Sequence, residues 1–225
     1  EKWINDMVIV DADNPAESVT ELINLADAVK SSTSNPVNRR NELMVRMRGY
    51  ENTAAQMGYE ASFITLTAPS KYHPNSRKYN GSTPSQTQKY LVNVWSKIRA
   101  KLFRMETPVF GIRVAEPHAD SCPHWHMILF FEPQHKKRIN AVLEFYAKFE
   151  DRAELISKDY PEEKRLIWEK VANKNPNNKL AQRFVAKRYD PKASKARLDI
   201  QPIDPKKGSA TGYIAKYIAK NIDGY

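Results

Sequence analysis

Hydrophobic positions along this chain alternate between two spacings, and the switches between them mark out the elements. Residues 16–30 and 37–57 read as helices, the first opened by Pro15 and the second following Asn35-Pro36, since proline is pre-set for the first turn. Residues 86–105 form a helix whose apolar positions Leu91, Val94, Trp95, Ile98 and Leu102 recur every three or four residues. Period-two alternation gives strands at Tyr59–Thr67, Val109–Pro117, His124–Phe131 and Arg197–Ile203. Ala68-Pro69 closes the first of these, and Asn80-Gly81 turns the loop at 74–85. The second and third strands read as an antiparallel pair joined by Ala119–Pro123. Further helices are expected at 134–149 and 161–173, a loop at 174–178, a short helix at 179–188 and a final helix at 209–222. Strands and helices are mixed without regular alternation, which predicts an α+β fold with a largely antiparallel sheet. Apart from a doubled Tyr-Ile-Ala-Lys near the end there is no internal repeat.

Composition narrows the class. A chain of 225 residues can bury a proper core, as one domain or a domain with an appendage. One cysteine excludes an internal disulfide and fits a reducing cytosol. No apolar run approaches the roughly 20 residues of a membrane span, and no signal peptide is evident. The chain starts without Met and stops soon after its last helix, so we expect a domain of a longer protein.

The formal charge of +10 points to a polyanionic partner, and its distribution says more. Between Ala61 and Met105 there are eight basic residues and no acid, with Tyr72, Tyr79 and Tyr90 interleaved. Cations for phosphates and aromatic faces for unstacked bases suit single-stranded DNA. Within this stretch Lys71, Tyr72, His73, Arg77 and Lys78 are the candidate DNA contacts. Lys170–Tyr189 is also free of acids, whereas the first sixty residues carry more acids than bases and are expected to face away from the substrate.

Two clusters carry chemistry. In His124-Trp125-His126 the histidines cannot share a helix face, but on a strand they point to one side and Trp125 to the other. Two imidazoles alone rarely hold a divalent ion. The preceding strand offers Glu116 and His118 on one face, and with the turn centred near Ser121, His118 lies across from His124 and Glu116 across from His126. Either completes a three-ligand site with open positions. A carboxylate suits Mg²⁺ or Mn²⁺ and is the preferred third ligand; three histidines lean towards Mn²⁺ or Zn²⁺. Cys122 reads as a thiol without function. In the last helix, at about 100° per residue, Tyr213 and Tyr217 fall together with Lys216 and Lys220 beside them, while Ile214 and Ile218 form a separate apolar stripe. A free tyrosine is a poor nucleophile, and a nearby cation favours its phenolate.

Three segments in this order, Phe63-Ile-Thr-Leu-Thr-Ala-Pro-Ser70, Glu116-Pro-His-Ala-Asp-Ser-Cys-Pro-His-Trp-His126 and Tyr213-Ile-Ala-Lys-Tyr-Ile-Ala-Lys220, resemble the HUH endonuclease domain of phage replication gene A proteins, the two-tyrosine rolling-circle initiators. A departure is Ser121, where that family more often has glycine. The resemblance implies a central, RRM-like antiparallel sheet of about five strands with the tyrosine helix across the metal. Residues 58–225 then form the endonuclease domain and residues 1–57 a helical N-terminal extension. It implies nicking of single-stranded DNA at a replication origin through a 5′-phosphotyrosine, with Lys216 stabilising charge and Lys220 as a secondary candidate for that role and a further candidate DNA contact. A host replication helicase as partner and the cytoplasm of a bacterial host follow from the same resemblance. A transposase of the same chemistry would share every one of these residues, whereas a non-catalytic DNA-binding module would need neither the tyrosine pair nor the ligand cluster.

Overall fold

The computed structural model describes residues 8–9, 23–157, 166–167, 170–171, 173–175, 178 and 189–223. The expected helix at 161–173 lies largely and the short helix at 179–188 wholly outside them, as do residues 176–177 of the expected loop and residues 16–22 of the helix expected at 16–30. Within the rest of that helix Ile23–Asn24 is instead a strand, and the helix begins at Leu25. Near the start, β1 (Val8–Ile9) pairs antiparallel with β2 (Ile23–Asn24), and α1 (Leu25–Ser31) follows directly. Helix α2 (Pro36–Gln56) is capped by the Asn35 side chain, which accepts from the Val37 N–H, with proline in the first turn.

Four strands build the main sheet: β3 (Glu60–Thr67), β4 (Phe110–Pro117), β5 (Pro123–Phe131) and β6 (Leu198–Ile203). Their order is β4-β5-β3-β6 and every neighbouring pair is antiparallel. Among the described residues the sheet therefore has four strands, against an expectation of about five. Every residue of β5 is buried, because it is central and covered on both faces.

Alternation along β5 sorts its side chains into two layers. Trp125, Met127, Leu129 and Phe131 join a wholly apolar cluster with Leu91, Val94, Ile98 and Leu102 of α3 (Pro84–Arg104) and Ile139, Val142 and Leu143 of α4 (Lys136–Ala147). Helix α3 starts sharply because Thr83 and Gln86 form a reciprocal capping box. On the other face, Ile128 and Phe130 meet Phe63, Val114, Met47 and Ala54 of α2, and Ile214 and Ile218 of the last helix. That face is apolar at the Phe130 end and ends in His126 and His124 at the other.

The β4–β5 hairpin departs from the expected register. Glu116 pairs with His124 and Val114 with His126, so the turn is centred on Asp120 and not on Ser121. The cause is local turn chemistry. The Ser121 N–H donates to the His118 carbonyl at 2.9 Å, Ser121 takes a left-handed φ of 66°, and the Asp120 side chain accepts from the Cys122 N–H at 3.0 Å. His118 thus belongs to the turn, not across from His124. On edge strand β4, Gly111 has a φ of 153°, and a Cβ there would lie 1.8 Å from the Ile128 carbonyl oxygen, so only glycine fits.

A short helix that the pattern did not announce, α5 (Pro191–Arg197), leads into β6. Asp190 caps it by accepting from the Ala193 N–H, and buried Arg197 anchors it by donating to the Glu150 carbonyl and pairing with Glu154. The last helix, α6 (Ala210–Asp223), closes the layer above the histidine face.

Candidate metal and tyrosine site

The site forms where the apolar stripe on the sheet runs out. His124 and His126 project from β5 towards α6, and their Nε2 atoms lie 2.8 Å apart. From β4, Glu116 Oε2 is 3.0 Å from His126 Nε2 and 3.7 Å from His124 Nε2. Donors bound about 2.1 Å from one ion lie roughly 3–3.5 Å from each other, so these three converge as ligands do.

Electrostatics fit a cation at their centre. Burial pushes the His124 imidazole down to about 4, aided by the neighbouring histidines, and burial likewise lowers His126. Both rings are therefore neutral at pH 7. Burial disfavours the Glu116 charge, but a 2.7 Å bond from Lys220 Nζ and the nearby histidines hold the carboxyl below its usual range. Two neutral imidazoles and a carboxylate supply lone pairs with too few protons to bridge them, and a divalent cation satisfies that arrangement. The second nitrogen of His126 is oriented: its Nδ1 lies 3.1 Å from Thr65 Oγ1, so with Nε2 facing the cluster the ring donates to the hydroxyl.

His118 sits beside this group and outside the three converging donors. Its ring stacks on His124 with centroids 3.9 Å apart, where burial lowers its proton affinity as well. A second set of donors, His73, Asp120 and Cys122, lies across the turn. His73 Nδ1 is 3.0 Å from Asp120 Oδ2, and burial drives the Cys122 thiol up to about 12, so it stays protonated. This set fastens the basic loop to the hairpin turn.

Helix α6 brings its two tyrosines in unequally. Fully buried Ile214 and Ile218 fix its rotation, each stabilising the packing by about 1.5–3 kcal/mol. Tyr217 then stacks on His126 with centroids 3.8 Å apart and on Phe63 at 5.7 Å. Tyr213, one turn earlier, is 37 % exposed and meets the Phe63 ring at 6.0 Å. Lys216 Nζ lies 4.6 Å from the centre of the Tyr217 ring, and Lys220 is engaged with Glu116.

Two contributors escaped the sequence. Glu51 of α2 accepts from the Ala210 N–H at 2.7 Å and from Thr211 Oγ1 at 2.8 Å, so it caps the tyrosine helix from 159 residues away. No local pattern signals such a contact. Thr65 did carry one: Thr65 and Thr67 place hydroxyls at alternate positions at the end of a central strand, beside the histidine face.

The candidate DNA contacts divide. Arg77 and Lys78 are exposed, Lys78 lying 3.8 Å from Glu154. Lys71 instead pairs with Glu150 at 2.5 Å and Asp151 at 3.1 Å, and Tyr72 stacks on Tyr90 at 4.7 Å. His73 is held by Asp120. Among the described residues no helix is long and apolar enough to cross a membrane.

Comparison with known proteins finds phage replication proteins. The replication gene A protein of Escherichia phage 186 is 45 % identical over 209 residues, 90 % of this chain and 25 % of that protein. A probable replication protein, P12, of Pseudoalteromonas phage PM2 is 43 % identical over 223 residues, 99 % of this chain and 29 % of its own length. A probable replication endonuclease from a prophage-like region of Salmonella paratyphi A is 35 % identical over 211 residues, covering 91 % of this chain and 22 % of that protein. The chain thus spans about a quarter of the length of the curated relatives it matches. No solved structure matches it. The model of the bacteriophage replication gene A protein family matches residues 1–225, and the chain belongs to that family.

Proposed function

We propose that this chain is the metal-dependent HUH endonuclease and strand-transfer unit of a rolling-circle replication initiator, acting on single-stranded DNA at a replication origin in the cytoplasm of a bacterial host. One observation carries the reading: Glu116, His124 and His126 converge on one point, and the Tyr217 ring stacks on the imidazole of His126. The catalytic unit is residues 58–225, braced by α2 of the N-terminal extension through Glu51.

Glu116, His124 and His126 would hold the ion, with Glu116 preferred over His118 because its oxygen faces both Nε2 atoms. A bound Mg²⁺ or Mn²⁺ supplies Lewis-acid polarisation of the scissile phosphate. Thr65 keeps the His126 tautomer, and Lys220 holds the Glu116 carboxylate in place. Tyr217, the phenol nearer the donors, attacks phosphorus to give a 5′-phosphotyrosine and a free 3′-OH. Lys216, beside the Tyr217 ring, offsets charge developing at the phenolate. Phosphodiester energy is conserved in this bond, so the step reverses without ATP. Tyr213, exposed one turn away, serves the second cleavage that regenerates the origin. The 3′-OH primes synthesis while a host replication helicase opens the duplex. Lys71, Tyr72, His73, Arg77 and Lys78 form the wall that guides the strand, the first three shaping it and Arg77 and Lys78 contacting phosphates.

The experiment is covalent trapping. Labelled origin-like oligonucleotides incubated with the chain and Mn²⁺ should yield an adduct that survives a denaturing gel and maps to Tyr213 or Tyr217. DNA mapped to any residue outside this pair overturns the assignment. The double Tyr213→Phe, Tyr217→Phe variant should bind DNA and form no adduct.

A further inference from the structure

A cleft of about 830 Å³ opens from the donor cluster on the side away from the tyrosines. Its lining includes His124, Thr65, Thr67 and Asn75, with Lys192 and Lys195 on the α5 wall. Glu116, His126, Tyr213 and Tyr217 take no part in its lining. The wall is built firmly: buried Arg197 ties α5 to the Glu150 carbonyl and to Glu154. Carboxylates along the cleft are already partnered, Glu154 with Arg197, Asp120 with His73 and Asp199 with Gln201 and Lys195. Lys192 and Lys195 are exposed, and the Lys195–Asp199 pair is loose at 3.8 Å. The cleft therefore presents hydroxyls, an amide and ammonium groups beside a phosphate-handling centre.

Its position fixes which part of the DNA it takes. In-line displacement at phosphorus puts the attacking and leaving oxygens on opposite sides. Tyr217 stands on the His126 side, and the cleft begins at His124. As the Tyr217 oxygen bonds to phosphorus, the bond to the 3′ oxygen breaks on the far side. The electron pair leaves with that oxygen, which takes a proton from water, while the phenol proton passes to solvent. We infer that the α5 cleft binds the strand 5′ of the nick and retains its 3′-OH end after cleavage, with Lys192 and Lys195 on the backbone phosphates and Thr67 and Asn75 against the terminal nucleotide. Retention keeps the 3′-OH at high effective concentration for the reverse, joining step. This inference rests on the tyrosine-transfer reading above.

The test uses the full chain with oligonucleotides of constant length 3′ of the nick and increasing length 5′ of it. For the wild type, KM should fall as the 5′ side grows. Lys192→Glu, Lys195→Glu should erase that dependence and raise KM about tenfold, leave kcat at saturation within about twofold, and slow resealing of a trapped adduct by an added 3′-OH oligonucleotide. Lys192 lies in the first turn of α5, where the dipole tolerates glutamate, whereas Lys195 lies in the last turn, so adduct formation on DNA truncated 5′ of the nick verifies that the fold persists, with Lys195→Gln as the milder variant. Independently, a photoreactive base about two nucleotides 5′ of the nick should crosslink wild-type protein at α5. Sensitivity to the 3′ side alone, or crosslinks from 3′ bases only, overturns the inference. Absence of any tyrosine adduct in the wild type would instead defeat the underlying reading.

Discussion

The two faces of β5 are equally buried and chemically opposite. Trp125, Met127, Leu129 and Phe131 meet apolar partners along the whole face towards α3 and α4. On the other face Ile128 and Phe130 do the same, while among the described residues His124 and His126 have only each other, Glu116 and Thr65 to answer their nitrogens. Sequestering imidazoles this way costs stability unless they are paired. One face of a single strand therefore specifies the fold, and the end of the other accepts a penalty that a bound cation would relieve. A site revealed by such a local deficit is more informative than one inferred from a cavity.

The most severe way to break the comparison is to cut each face separately. His124→Ala or His126→Ala should reduce adduct formation at least a thousandfold, while chemical denaturation shows no more than a modest change and DNA binding stays close to wild type. EDTA should reproduce the effect. Trp125→Ala, from the same strand, should cost about 3–5 kcal/mol of stability by leaving a cavity. Undiminished cleavage in EDTA, or histidine variants that simply unfold, would remove the distinction between the faces.

Within the histidine face, Glu116 and His118 sharpen it further. Glu116→Ala should raise the Mn²⁺ concentration needed for half-maximal adduct formation about a hundredfold, and His118→Ala by less than tenfold, since His118 stacks on His124 and lies outside the converging donors. A titration shifted by His118→Ala alone reverses the ligand assignment. Glu51→Ala should destabilise the protein by about 1 kcal/mol through loss of its cap and slow adduct formation several-fold, with Glu51→Gln partly restoring both.

Acid separates the faces without mutation. His124 binds its proton near 4 when folded and near the ordinary 6.5 when unfolded. Between those values the unfolded chain holds more protons, so falling pH destabilises the fold, by up to about 3 kcal/mol at the lower end. Glu116, lowered from 4.5, acts in the same direction, its contribution being lost as pH falls below that value. Metal-free protein should therefore weaken steadily from pH 6.5 to 4, and His124→Ala should flatten the slope in urea melts. An unchanged slope in that variant would mean that His124 is not held neutral.

Much of this was legible in the sequence, and the parts that were not share a cause. Alternation alone placed His124 and His126 on one side of a strand, and helical spacing grouped Tyr213 with Tyr217, because both depend on residues at most four apart. Contacts between distant segments left no such trace. Glu51 meets the tyrosine helix 159 residues downstream, and Lys71 turns inward because Glu150 and Asp151 arrive from beyond α4. The basic loop was legible as charge but not as geometry. Helix α5 lay between the two, since Asp190-Pro191 is a start signal for a helix too short to show a period. The hairpin register failed by one residue at its centre, which at strand spacing displaces every partner by two.

That hairpin supplies the smallest effect. Ser121 sits at φ 66°, a conformation that places a Cβ close to backbone and favours glycine. The bonds that hold it there, the Ser121 N–H to the His118 carbonyl and the Cys122 N–H to Asp120, involve backbone donors that glycine keeps. Ser121→Gly should therefore stabilise the folded state by up to about 1 kcal/mol, less whatever the freer unfolded chain gains in entropy. Because Glu116 and His124 stay opposite each other, the Mn²⁺ titration should not move. A metal affinity altered severalfold by this substitution would mean that the turn tunes the donor cluster and does not merely join the strands that carry it.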